Sequence, residues 1–113
     1  MPRKKLPNRR PSQVFEFTLK GFKYTCQIGY YDKAMQELGE VFISCGKSGS
    51  DSQLVLLEAA IAVSLLLQHG GSIHELAKAM PHRDDGSPEG PLGTLLSILS
   101  REEAKDAREE LLT

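Results

Sequence analysis

The stretch "EVFISCGKSGSDSQLVLLEAA", residues 40–60, passes from a β-like run through Gly46-Lys47-Ser48-Gly49-Ser50 into a long apolar segment. Strand, glycine-rich loop and helix in this order are how phosphate-binding loops are built. A nucleotide-binding P-loop sets a glycine five positions ahead of its Gly-Lys-Ser/Thr, so that backbone amides wrap the phosphates. That position holds Val41, so the NTPase motif fails. The plain reading is a strand, a tight turn and a helix capped by Ser50. Gly46, Lys47, Ser48, Gly49 and Ser50 remain an anion-binding candidate through free amides and the helix dipole.

The helix has its own start and stop. Ser50 with Gln53 three residues on is a capping box, and Gly70-Gly71 offers a left-handed end. Between them Leu54, Val55, Leu56, Leu57, Ile61, Val63, Leu65, Leu66 and Leu67 cover nearly the whole circumference. A helix apolar on all sides must be buried on all sides. One small sheet covers one side, so the C-terminal segments or a partner subunit must cover the rest. The run is no membrane span: it is about 14 residues long against the ~20 needed, and it contains Glu58 and Ser64. The basic N-terminus is followed by no apolar core region, so no secretory signal is indicated and a soluble, cytoplasmic protein is expected.

Upstream, Phe15, Phe17 and Leu19 alternate with Glu16, Thr18 and Lys20, the period of a half-buried strand broken at Gly21. A second strand over 22–31 puts Tyr24, Cys26, Ile28 and Tyr30 on one face, and a third over 39–45 does the same for Val41, Ile43 and Cys45. The polar link over 32–38 has room for a short helical turn. Downstream, Ser72 and Glu75 open a short helix that Pro81 stops. The turn-rich "HRDDGSPEGPLG" (82–93) leads to Leu92, Leu95, Leu96, Ile98 and Leu99. The predicted fold is α+β: a small antiparallel sheet packed on a long buried helix, plus short C-terminal helices. Residues 1–12 read as a disordered basic arm, 13–100 as the packed domain and 101–113 as a charged C-terminal helix or tail.

The 113 residues, with net charge −1, 40% hydrophobic and 26% charged, belong to one soluble globular domain. A packed region this small buries only about 60–65% of its unfolded surface, so a homodimer is expected. Cys26 and Cys45 lack CxxC or His spacing, so they read as small buried hydrophobes. The alternative is a redox pair, since Cys45 ends a strand beside Gly46 and Lys47, where exposure and a cation favour thiolate. The arm's Arg3, Lys4, Lys5, Arg9 and Arg10 are candidates for weak nucleic-acid phosphate contact, or else simply solvated. His69, His74, His82, Asp84 and Asp85 show no ligand spacing, so no metal is expected. Without a nucleophile elbow, HExxH or confined acid pair, no enzyme and no cofactor are indicated.

Taken together, "GEVFISCGKSGSDSQLVLLEAAIAVSLLLQHGGSIHELAKAM" with "DGSPEGP" behind it resembles the TSCPD domain, the small C-terminal domain of cobalamin-dependent (class II) ribonucleotide reductases. Glu40, Val41, Phe42, Ile43, Gly46, Lys47, Gly49, Ser50, Ala62, Ser64, Leu65, Leu67, Gly70 and Leu76 fall on that family's pattern. The Cys-Pro-Asp segment that names the domain is replaced by Pro88-Glu89-Gly90-Pro91, which leaves a cysteine-ligated metal or thiol relay without its residues. The resemblance implies a reductase-like or reductase-associated domain lacking the radical-bearing barrel. Stand-alone members resemble NstA-like regulators that restrain topoisomerase IV decatenation. That likeness implies a protein partner such as a topoisomerase IV subunit, with Cys26 and Cys45 as switch residues whose oxidation joins protomers.

Overall fold

The computed structural model describes residues 2–45 and 50–112, with side chains through residue 105. In chain order the elements are β1 (Ser12–Leu19), β2 (Phe22–Tyr30), β3 (Leu38–Ser44), α1 (Asp51–Gln68), α2 (Ile73–Ala79) and α3 (Pro91–Leu112). They fall into two compact units, Met1–Gly71 and Ser72–Thr113. The boundary is the expected helix stop: Gly70 takes φ 89°, and the Gly71 amide turns back to the Leu66 carbonyl at 2.9 Å.

In the first unit three antiparallel strands lie in the order β1-β2-β3. Lys20 (φ 53°) and Gly21 (φ 82°) form the two-residue β1–β2 turn, both left-handed as a primed hairpin turn requires. The register aligns Phe15 with Cys26 and Cys26 with Ile43, and Gln13 with Ile28 and Ile28 with Val41. Period-two alternation therefore brings Cys26, Ile28, Tyr30, Val41 and Ile43 together as the buried face of the sheet. Phe17 and Tyr24, directly opposed, stack at 5.3 Å. The link after β2 is a turn without helix. The Asp32 carboxylate accepts the Gln36 and Glu37 amides, the latter at 2.9 Å, and Met35 sits at φ 56°.

Ser50 caps α1 by accepting the Gln53 amide at 3.2 Å, as its spacing indicated. The helix lies along β3, and its few polar side chains meet the strand's backbone. Ser64 Oγ accepts the Val41 amide at 2.9 Å and donates to the Val41 carbonyl at 3.1 Å. Gln68 Nε2 donates to the Gly39 carbonyl at 2.9 Å, and Gln53 Oε1 accepts the Cys45 amide at 2.8 Å. These are backbone groups of an edge strand, which α1 covers instead of leaving open to another chain. Burial of α1 is confined to that side, at Ala60, Val63, Ser64 and Gln68. At 18 residues α1 is long and apolar enough by composition alone to cross a membrane, yet its seat along β3 is that of a sheet-covering helix.

The N-terminal segment, expected to be a free arm, is laid on this unit. The Lys4 amide bonds to the Gln68 carbonyl at 2.8 Å, and the Pro11 carbonyl accepts the Tyr30 amide at 3.0 Å. The Tyr31 hydroxyl donates to the Lys4 carbonyl. A Cβ on Gly39 would strike the Leu6 side chain, so the close approach of arm and β3 depends on that glycine.

In the second unit Ser72 caps α2, accepting the Glu75 amide at 3.3 Å. A bridge between His82 and Pro88 closes the turn-rich loop over Gly86, which takes φ 87°. Pro91 opens α3 at the position where a missing amide matters least. The closing apolar segment and the charged tail, which read as separate and short, are one helix of 22 residues. α2 and α3 pack together, and Ile73, Ala77, Leu95, Leu96 and Leu99 are buried.

Candidate functional site

The first unit leaves an apolar flank of α1 exposed, beside the Gln53, Ser64 and Gln68 side chains that meet the β3 backbone. Leu54, Leu57, Ile61 and Leu65, spaced three, four and four residues apart, make one stripe along the helix, with Val55 and Leu66 beside it. These six are 39–65% exposed. Glu58 is the only charge between Asp51 and Gln68. Side chains of this kind belong in a core or under a partner.

The two thiols are free and differ in setting. Cys26 lies on the central strand with no exposed surface, and burial pushes its thiol up to about 11. It stays a neutral thiol and fits the plain reading as a small core residue. Cys45 follows β3, half-buried. The Tyr24 hydroxyl is in hydrogen-bond contact with it, and burial first, then this thiol, push the Tyr24 phenol up. Of the two, Cys45 alone has the access that thiol chemistry needs.

Of the proposed anion loop, Gly46, Lys47, Ser48 and Gly49 lie outside the described residues. Ser50 is described, and its hydroxyl oxygen is committed to capping α1.

The basic segment is sorted by its contacts. Lys4 turns to Glu37 at 2.7 Å and lies 4.5 Å over the Tyr31 ring; the Glu37 hydrogen bond raises its pKa. Arg3, Lys5 and Arg10 instead line one cleft of about 270 Å³ with Leu6, Glu40 and Gln68. There Arg3 Nε donates to Gln68 Oε1 at 2.7 Å. Arg10 grips the Glu40 carboxylate through Nε and through Nη2, the latter at 3.0 Å. Arg9 is exposed. Sequence reasoning missed Glu40 and Gln68, which gather these cations from 30 and 65 positions away. A faint signal for Gln68 existed: with Gln53 and Ser64 it is a polar residue at helical spacing in an otherwise apolar run.

Elsewhere, the His74 ring meets the Ser100 hydroxyl and lies 3.6 Å from Glu103. Among the described residues no group of His, Cys, Asp and Glu is placed to hold a metal ion.

An antiparallel sheet sealed along one edge by an apolar helix, followed by a helical pair, defines a small α+β domain. The chain belongs to the TSCPD domain family, whose profile matches residues 2–102. It is 35% identical over 77 residues to a vitamin B12-dependent ribonucleotide reductase of Agrobacterium fabrum, a match covering 68% of this chain. To the enzyme of the same name from Bradyrhizobium diazoefficiens it is 36% identical, again over 77 residues and 68% of the chain. The match spans 6% of the length of each of these relatives, so the chain is a reductase-related small domain. No solved structure matches it.

Proposed function

We propose that this domain is a non-catalytic regulatory module of DNA metabolism, working by protein contact through α1, which pairs with α1 of a second copy. The observation that carries this reading is the exposed apolar side of α1 at Leu54, Val55, Leu57, Ile61, Leu65 and Leu66. It amounts to roughly 500 Å² per chain, toward the upper end of what monomers leave in one patch. Doubled across a two-fold pair, and with flanking atoms added, it approaches the ~1,200 Å² lower bound of a standard interface. A second copy fits because from Leu54 to Leu66, between about three and four helical turns, the surface carries one charge, Glu58, so two such surfaces oppose with little unpaired charge. Light scattering at micromolar concentration is expected to give twice the chain mass, and Ile61→Lys with Leu65→Lys to give a folded monomer. A monomeric wild type under both reducing and oxidising conditions removes the reading.

The likeness to NstA-like regulators supports topoisomerase IV as the target and thiol oxidation as the gate. Cys45 is the thiol on which such a gate rests. One Cys45 from each of two protomers, two thiols and one hydrogen peroxide in all, yields one disulfide and two waters. Non-reducing electrophoresis after peroxide should show a dimer that Cys45→Ser abolishes and Cys26→Ser leaves. Decatenation unaffected by the reduced or oxidised protein excludes the topoisomerase part. This module acts in the cytoplasm and without a cofactor.

A second reading is favoured by the identity to the B12-dependent reductases. As an accessory domain of ribonucleotide reduction, the chain would alter the activity of a reductase to which it is added. No change in that activity rules it out.

A further inference from the structure

The cleft between the N-terminal segment and the C-terminal end of α1 is separate from the exposed side of that helix. Three cationic side chains, Arg3, Lys5 and Arg10, line it against one carboxylate, Glu40. Glu40 is already spent, held through both oxygens by Arg10. Arg3 uses Nε on Gln68, and among the described residues its terminal N–H groups and the Lys5 ammonium meet no acceptor. Arg3 and Lys5 thus bring uncommitted charged donors to a space whose one carboxylate is already taken, which is the complement of a multiply charged anion. Gln68 makes the arrangement a built one. It is 6% exposed, its Nε2 is anchored on the Gly39 carbonyl, and its Oε1 fixes the Arg3 guanidinium. Its backbone carbonyl, one of the helix-end acceptors that would repel an anion, is covered by the Lys4 amide at 2.8 Å.

The geometry points to an anion site for a phosphate or diphosphate group, held by Arg3 and Lys5 beside Arg10, whose charge is paired with Glu40 and whose Nη1 donates to the Pro7 carbonyl at 2.9 Å. At about 270 Å³ the cleft has room for phosphoryl groups. It falls short of the roughly 300–1,000 Å³ typical of pockets that enclose a whole small molecule. Leu6 is its one apolar lining residue, so the rest of a phosphorylated ligand lies outside. The group therefore comes either from a free nucleotide or from a nucleic-acid backbone.

Titration calorimetry of the full chain at 50 mM salt should show binding of pyrophosphate. Arg3→Gln and Lys5→Gln should each weaken it about tenfold at unchanged melting temperature. Glu40→Gln, which removes the only carboxylate, should leave it intact or tighten it. Two further arms separate the sources. ATP binding as tightly as pyrophosphate, with a short single-stranded oligonucleotide no tighter, marks a free nucleotide. An oligonucleotide that binds more tightly and with a steeper salt dependence marks a nucleic-acid backbone. No binding of any of the three probes at millimolar concentration overturns the site, as does binding indifferent to both Arg3→Gln and Lys5→Gln. Neither result depends on α1 pairing, which light scattering reads separately.

Discussion

Lys20 holds a left-handed conformation, φ 53°, that a side chain with a Cβ adopts at a cost. The residue following it, Gly21, is already suited to its φ of 82°. Asparagine is the preferred first residue of such a turn, so Lys20→Asn should stabilise the protein by about 0.5–1 kcal/mol, read as a melting temperature a few degrees higher. A lower melting temperature would contradict the primed turn. Cys26 makes a prediction in pH. Its folded-state pKa of about 11 lies above its ordinary value of 9.0 because burial disfavours the thiolate. The unfolded chain therefore releases this proton first. The stability Cys26 contributes is whole below pH 9 and is lost as pH rises toward 11. The loss is on the order of 3 kcal/mol, and alkaline unfolding of Cys26→Ala should lack that component.

At the scale of elements, caps were legible because they are local. Ser50–Gln53 and Ser72–Glu75 are bonds across three residues, and both helices begin where those pairs stand. Strand alternation was legible for the same reason, since period two needs no knowledge of the partner strand. The role of Ser64 was not, because it depends on Val41, 23 residues earlier. Ser64→Ala would leave both backbone groups of Val41 buried without their partner. Urea unfolding should report a loss of about 2–3 kcal/mol, with Ser64→Thr recovering part of it. A loss under ~0.5 kcal/mol would mean that the edge of β3 is satisfied in another way.

For the whole molecule, the exposed side of α1 links stability to concentration. If two copies pair there, mass action adds to the stability of the folded form, and the melting temperature should rise by several degrees over a hundredfold increase in concentration. The double substitution Ile61→Lys with Leu65→Lys should flatten that dependence. A wild-type melting temperature independent of concentration would argue against pairing.

The sequence by itself determined the α+β order of elements, the capped ends of α1 and α2 and membership of the TSCPD family, because alternation, capping boxes and motif residues are carried within a few positions of one another. Tertiary structure alone decided which side of α1 is covered. It also decided that Cys26 is sealed while Cys45 is reachable, and that Arg3, Lys5 and Arg10 share a cleft. Each of these depends on residues far apart in the chain being brought to one place by the pairing of β2 with β3 and the seating of α1 along the edge. No local pattern encodes distances of that kind.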